Sequence, residues 1–195
     1  MDVIFICGAS GVGKSTLAKG LCRRLGGVLI EQNMVPEFSI PEGCPDEGAF
    51  EERVCWGNML VQIEYFLNSR FRNIIALDFD DIRTCEIPAI FGGREHIILR
   101  LYSGRPEQLL AQLEKRREQG EGLFDPAQSL QWNEAIGRRP LLPNEVKIDV
   151  AGKTPEEVLE EALGLIESAE PRPVTDYFPD NRGYMSWVKS RQGKL

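Results

Sequence analysis

The stretch Gly8-Ala9-Ser10-Gly11-Val12-Gly13-Lys14-Ser15-Thr16 matches the pattern G-x-x-x-x-G-K-[ST] of a phosphate-binding loop. It follows the apolar run 3–7, which favours a strand. The apolar positions Leu17, Leu21 and Leu25 come after it at a spacing that favours a helix. A strand, a glycine-rich loop and a helix therefore occur in the order that such a loop requires.

Each residue type in this loop suits phosphate binding. Glycine lets backbone N–H groups turn towards phosphate oxygens, and the following helix points its positive end at them. Lys14 is expected to reach the β- and γ-phosphates, the Ser15 hydroxyl to ligate Mg²⁺, and Thr16 to lie nearer the α-phosphate. The loop thus predicts a site for ATP and Mg²⁺ formed by Gly8, Ser10, Gly11, Val12, Gly13, Lys14, Ser15 and Thr16.

Length, composition and charge narrow the class of protein. A chain of 195 residues with 42% hydrophobic and 27% charged residues is typical of one globular domain with a full core. The net charge of −7 disfavours nucleic acid as a partner, so locally placed cations must meet any anionic substrate. The apolar runs are far shorter than the ~20 residues that span a bilayer, so we expect no membrane association.

The cysteines point to a reducing compartment. They are odd in number and scattered along the chain: Cys7, Cys22, Cys44, Cys55 and Cys85. No pair of them has the C-x₂-C spacing that is typical of zinc sites. The amino terminus enters a strand without a basic signal-peptide start. We therefore expect a cytoplasmic protein with free thiols.

Hydrophobic periodicity and glycine or proline positions predict alternating strands and helices. After the first strand and helix, strands are predicted at 28–30, 74–78, 96–102 and 146–150. Helices are predicted at about 49–70, 106–119, 125–136 and 155–168, with one short helix that starts near Asp80 or Asp81 and ends near Phe91. Residues 31–48 hold three prolines and two glycines, which predicts an irregular flap.

Polar residues just past the second strand are candidates for substrate binding. Glu31, Gln32 and Asn33 follow this strand, and Glu37 is a charge of the flap. In an open parallel sheet, ligands bind at the carboxyl ends of the strands. The alternative is an ordinary polar loop.

The third strand ends in a carboxylate. Asp78 closes the run 74–77, as in the strand that lies beside a phosphate-binding loop, so it can hold Mg²⁺ or accept a proton from an attacking hydroxyl. The alternative is that Asp78 only ends the strand and that Asp80 or Asp81 caps the next helix.

Two arginine pairs lie on either side of the glycine break 120–122. Arg116 and Arg117 precede it, and Arg138 and Arg139 follow. They are interpreted as parts of a mobile lid over a triphosphate, at about 116–139. The alternative is solvated charges at helix ends.

Other features have simpler interpretations. Trp56 is predicted to belong to the core and the single histidine, His96, to be structural rather than catalytic. Residues 170–195 carry four large aromatic residues and mostly basic charges, so this extension is expected to pack on the domain or on a partner subunit.

Over residues 1–169 the chain resembles the P-loop kinases of small molecules, which include nucleoside monophosphate kinases, shikimate kinase and antibiotic phosphotransferases. The resemblance rests on the phosphate-binding loop, the Asp78 strand, the segment 106–117 before a lid, and residues 148–157. It implies a three-layer α/β fold with helices on both faces of a five-stranded parallel sheet of order 2-3-1-4-5, and a helical lid.

The resemblance also implies roles for particular residues. Arg116 or Arg117 matches the lid arginine near the nucleotide, and Arg138 or Arg139 matches a second one. The segment 148–157, with Gly152, Lys153 and Thr154, is similar to the family's loop beside the adenine. The acceptor is implied to lie between the flap and the lid. The chain lacks the D-R-x sequence of deoxynucleoside kinases and an acceptor signature of nucleoside monophosphate kinases, which leaves the acceptor open.

Two functions follow from these observations. The first is an enzyme that moves the γ-phosphoryl group of Mg-ATP to a small hydroxyl or phosphate acceptor. The second is a switch or regulatory module that binds or hydrolyses a nucleoside triphosphate without a small-molecule acceptor. The sequence leaves the oligomeric state open.

Overall fold

A computed structural model describes residues 1–120 and 125–179. Five strands form one parallel sheet in the order β2-β3-β1-β4-β5, as the resemblance implied. Their bounds are β1 Val3–Gly8, β2 Val28–Glu31, β3 Ile74–Leu77, β4 His96–Tyr102 and β5 Glu145–Asp149. The longer helices are α1 Lys14–Leu25, α2 Glu47–Asn68, α5 Pro106–Glu118, α6 Pro126–Arg138 and α7 Pro155–Ser168. Two short helices, α3 Asp81–Thr84 and α4 Ile87–Ile90, lie between β3 and β4.

Side chains of the central strand alternate between two cores. Ile4 and Ile6 of β1 pack with α1 and α7 on one face. Val3, Phe5 and Cys7 pack with α2 and α4 on the other. Both faces of the strand are buried because helices cover both sides of the sheet, which explains its continuous apolar run.

The predicted elements differ from the structure mainly at their ends. Asp78 lies just beyond β3 in a left-handed conformation, with φ of 63°, instead of ending the strand. The single helix predicted after β3 is wrong, because α3 and α4 are separate. Pro88, in the first turn of α4, has no N–H to continue the hydrogen bonds of a helix from α3.

The features predicted to be structural are buried. Trp56 is 4% exposed, and the His96 side chain is fully buried with Nδ1 3.1 Å from the carbonyl oxygen of Arg94. The five cysteines all lie within the described residues and are free, and burial raises the pKa of the Cys7 thiol. Within residues 1–120 and 125–179, no helix is both long and apolar enough to cross a membrane.

The described part of the extension contacts the domain. Val174 donates its backbone N–H to the carbonyl oxygen of Gly92, and the Tyr177 hydroxyl donates to that of Cys85. Asn144 exchanges two hydrogen bonds with the backbone of Arg172. Residues 180–195, with Tyr184 and Trp187, lie outside the described residues, as do residues 121–124 of the predicted glycine break.

Candidate active site

The phosphate-binding loop connects Gly8 at the end of β1 to Lys14 at the start of α1. Gly8, Gly11 and Gly13 have φ angles of 143°, 84° and 94°, a region that favours glycine. A Cβ atom on Gly8 would lie 2.4 Å from the carbonyl oxygen of Leu101. Glycine is therefore required where the loop leaves the sheet.

The first turn of α1 is suited to bind an anion. Its N-cap is Gly13, and within the described part of the chain this helix receives no side-chain cap. Backbone N–H groups at this helix end, together with the helix dipole, attract phosphate oxygens. Ser15 lies in the same turn, where its hydroxyl can ligate a metal bound to those oxygens.

Lys14 and Asp78 lie side by side at the loop. Lys14 Nζ donates to the carbonyl oxygen of Ala9 at 3.2 Å and lies 3.5 Å from Asp78 Oδ1. The Lys14 side chain is 14% exposed and that of Asp78 is 35% exposed. The carboxylate is therefore both close to the ammonium group and accessible to a ligand.

The three aspartates after β3 have different environments. Asp80 is the N-cap of α3 and accepts from the backbone N–H of Ile82. Asp81 is buried, with its Oδ2 3.4 Å from Arg139 Nε and its Oδ1 accepting from the Thr84 hydroxyl. Within the described residues, Asp78 neither caps a helix nor pairs with Arg139. Asp80 therefore caps the helix, as the second sequence alternative predicted, and the role of Asp78 in metal binding or proton transfer stays a prediction.

A cavity of about 340 Å³ lies beside the loop after β5. Gln108 Oε1 accepts from the backbone N–H of Gly152 across it, and Asp149 Oδ1 accepts from Gly104 and Ala151. Gly152 and Lys153 line this cavity, and the adenine-binding role that the resemblance implies for them stays a prediction. The lining residues come from β4–α5, α5 and the β5–α7 loop: Ser103, Gln108, Leu109, Ala111, Gln112, Val150, Ala151, Gly152 and Lys153.

Thr154 and Lys153 also have structural partners. The Thr154 hydroxyl accepts from the N–H of Glu157, and Glu157 accepts from the N–H of Thr154, which forms a capping box on α7. Lys153 Nζ pairs with Glu161 Oε2 at 2.5 Å. The loop beside the cavity is therefore held by the helix that follows it.

The four arginines predicted for the lid do not share one environment. Arg116 and Arg117 are exposed near the end of α5. The Arg138 side chain is 79% exposed and pairs with Glu134 on its own helix. Arg139 is instead 11% exposed and pairs with Asp81 and Glu145, which raise its pKa against the opposing effect of burial. Of the two alternatives for the second lid arginine, Arg139 is thus held by carboxylates while Arg138 is exposed, and a lid role for either stays a prediction.

The candidate acceptor residues lie at the end of β2. Glu31 ends the strand beside Leu77 of β3, and Gln32 donates its backbone N–H to the carbonyl oxygen of Leu77. Asn33 and Glu37 are exposed in the flap. The backbone of Gln32 is thus bonded to Leu77, the residue before Asp78. Glu37 belongs to a segment without regular secondary structure.

Sequence analysis missed a cluster between α2 and α3. Arg83 donates to both carboxylate oxygens of Glu52 and to Glu86, and Glu86 also accepts from Trp56 Nε1. We name these four residues the Arg83 cluster. Glu52 and Arg83 are 31 positions apart, and no local pattern indicates such a pair.

The chain is similar to known proteins in its sequence. A family model described as an AAA domain matches residues 3–78. A protein of Pyrococcus abyssi, provisionally named an adenylate kinase, is 28% identical over 88% of each chain.

Solved structures share the fold. A sugar kinase of Janibacter sp. superposes with a TM-score of 0.60 at 23% identity, over 87% of this chain and 96% of its own. Shikimate kinase of Acinetobacter baumannii superposes with a TM-score of 0.56 at 19% identity, over 86% and 94%. The residues matched by the family model include the phosphate-binding loop, and the solved structures share the α/β fold of this chain.

Proposed function

We propose that the protein transfers the γ-phosphoryl group of ATP to a hydroxyl or phosphate group of a small molecule. The observation that carries the proposal is the position of Lys14 Nζ, 3.5 Å from Asp78 Oδ1 at the mouth of a phosphate-binding loop. This distance supports the proposal because Lys14 could serve the phosphates and Asp78 the acceptor at the same edge of the sheet.

The proposed roles follow from the chemistry of the transfer. An acceptor oxygen forms a bond to the γ-phosphorus while the bond from that phosphorus to the β,γ-bridging oxygen breaks. Lys14 would balance charge on the β- and γ-phosphate oxygens. Asp78 would accept the proton when the acceptor is a hydroxyl, because its side chain is accessible beside the loop.

The residues present fit a magnesium ion held mainly by the nucleotide. Mg²⁺ is usually held by one or two protein side chains together with phosphates and water. Ser15 and Asp78 would supply those side chains, on α1 and just after β3. Mg²⁺ would neutralise phosphate charge when bound.

The nucleotide base would lie in the cavity between α5 and the β5–α7 loop. Leu109 and Val150 line this cavity and would offer apolar contacts there. Arg116, Arg117 and Arg138 would bind the phosphates from the lid. Arginine suits this role because one guanidinium group can donate two hydrogen bonds to phosphate oxygens.

The test is ADP release by the purified protein with Mg-ATP, alone and with nucleosides, nucleotides, sugars, shikimate-like acids and aminoglycosides. We expect slow release that rises with an acceptor and falls ~10²- to 10³-fold in Lys14→Ala, the usual cost of one electrostatic donor. Lys19→Ala is the matched control, since Lys19 is exposed on the same helix. Release that no small molecule stimulates would favour the switch function, and an active Lys14→Ala protein would exclude the proposed site.

A further inference from the structure

The first part of the C-terminal extension, residues 170–177, is bonded to two separate loops of the domain. Before β5, the Asn144 side chain accepts from the backbone N–H of Arg172 and donates to its carbonyl oxygen, both at 3.1 Å. Before β4, the carbonyl oxygen of Gly92 accepts from the backbone N–H of Val174 at 2.9 Å. We name residues 170–177 the strap, since they cross from one loop to the other.

The strap is packed closely against the loop that follows α4. A Cβ atom on Gly92 would lie 2.2 Å from the carbonyl oxygen of Val174 and 2.8 Å from that of Pro88. The next residue, Gly93, is exposed, and a Cβ atom on it would meet no atom of the described residues within 4 Å. The strap therefore fits its place only because residue 92 has no side chain.

The Tyr177 hydroxyl satisfies a carbonyl group at the break between α3 and α4. In a continuous helix, the carbonyl oxygen of Cys85 would accept from residue 89. The N–H of Ala89 bonds instead to the carbonyl oxygen of Glu86, and Pro88 has no N–H to offer. Cys85 is 6% exposed, and Tyr177 donates to its carbonyl oxygen at 3.1 Å. Because a buried carbonyl group needs a partner, this bond stabilises the break.

The helix α3 connects this contact to the candidate active site. It is a single turn of four residues, with Asp80 as its N-cap and Cys85 as its C-cap. Asp78 lies two residues before that N-cap, and its Oδ1 is 3.5 Å from Lys14 Nζ. A helix this short has little stability of its own, so contacts at its ends determine where it lies. The strap supplies one of those contacts, at the C-cap.

We propose that the strap is a positioning element of the active site, and that Tyr177 determines the position of Asp78 through α3. Tyr177 acts through the backbone, since its hydroxyl is bonded at the opposite end of the helix from Asp78. The inference rests on the proposed kinase function for its effect on catalysis, because that function assigns metal binding and proton transfer to Asp78.

Hydrogen exchange of the full chain tests the positioning without any measurement of activity. In Tyr177→Phe, the amides of residues 78–90 are expected to exchange about tenfold faster, the scale of one lost hydrogen bond to a buried group. The amides of α1 and α7 are expected to keep their rates. Gly92→Ala is expected to act in the same direction, because the added methyl group displaces Val174.

Each variant has a matched control. Tyr65→Phe removes a hydroxyl group from α2, where the tyrosine is 66% exposed. Gly93→Ala adds a methyl group beside Gly92 where no described atom lies within 4 Å. Both controls are expected to keep the native exchange rates over residues 78–90. Unchanged exchange there in Tyr177→Phe and Gly92→Ala, or an equal rise in α1 and α7, would overturn the inference.

Kinetics tests whether the effect passes through Asp78. Tyr177→Phe is expected to lower kcat for acceptor-stimulated ADP release about tenfold, because small displacements of a catalytic group lower rates steeply. ADP binding is expected to stay unchanged, since the phosphate-binding loop keeps its residues. In an Asp78→Asn protein, Tyr177→Phe should add no further loss, as for two residues that act as one unit. Losses that multiply in the double variant would show independent action and overturn the inference.

The outcomes separate this inference from the proposed function. If the native protein transfers no phosphoryl group, the proposed function fails, and the exchange of residues 78–90 alone decides the inference. An active kinase in which Tyr177→Phe changes neither exchange nor kcat would keep the proposed function and overturn the inference.

Discussion

Arg139 Nε lies 3.4 Å from Asp81 Oδ2, and this buried ion pair joins the residue after α6 to the first residue of α3. Arg139 also donates to both oxygens of Glu145. Arg100, fully buried on β4, lies 3.2 Å from Glu145 and donates to the carbonyl oxygens of Ile136 and Arg139. Buried charges thus fix the residue that follows α6 to the sheet and to α3.

Asp81→Asn is expected to destabilise the fold, because Arg139 loses one of its two carboxylate partners in a buried site. Breaking a buried ion pair costs about 3 kcal/mol. The measurement is denaturant unfolding followed by circular dichroism. Glu134→Gln is the control, since it breaks the exposed pair with Arg138 and should cost only about 0.5 kcal/mol. Equal effects of the two changes would contradict a structural role for the buried pair.

Asp78→Asn is expected to lower acceptor-stimulated ADP release and to weaken its dependence on Mg²⁺ concentration. The amide keeps the shape but neither accepts a proton as a base nor attracts a metal as a carboxylate does. Release is measured across a magnesium titration. Asp80→Asn is the comparison, since Asp80 caps α3 instead of facing Lys14. If Asp80→Asn lowered ADP release more than Asp78→Asn, the assignment of Asp78 as the catalytic carboxylate would be wrong.

Single alanine changes at Arg116, Arg117 and Arg138 are expected to lower kcat more than they weaken ADP binding. Their contacts would strengthen as charge moves during transfer. Steady-state transfer and ADP titration measure the two effects. Arg139→Ala is expected to differ by lowering the free energy of unfolding, since its guanidinium is held by Asp81 and Glu145. Three neutral results at the exposed arginines would identify them as solvated charges.

His96 gives an expected pH dependence of stability. Burial lowers its pKa, against smaller opposing effects of backbone hydrogen bonds. As pH falls, His96 therefore binds a proton in the unfolded state before it does so in the folded state. The contribution of His96 to the free energy of unfolding is present above the unfolded pKa of about 6.5 and is lost as pH falls towards the folded pKa. Denaturant unfolding between about pH 7 and 5.5 should show declining stability in the native protein and a flatter profile in His96→Asn. A profile that the substitution leaves unchanged would exclude His96 as the cause, and it is the single histidine of the chain.

The sequence by itself determined the parts of this protein that depend on neighbours along the chain. The phosphate-binding loop can be recognised in the sequence because its pattern requires two glycines, Lys14 and Ser15 within eight residues between a strand and a helix. The capping box of α7 is equally local, since Thr154 and Glu157 bond to each other's backbone. The strand order came from the family resemblance, because periodicity shows that strands exist but not which of them pair.

Only the tertiary structure distinguished residues that look alike in sequence. Arg138 and Arg139 are adjacent, yet one faces solvent and the other is buried, because the chain turns out of α6 between them towards Asp81 and Glu145. The three aspartates after β3 also have different environments: Asp78 lies beside Lys14, Asp80 caps α3 and Asp81 is buried. Arg83 and Glu52 meet only because α2 and α3 pack at the same edge of the sheet. Long-range packing decides these pairings, and no short pattern in the sequence encodes it.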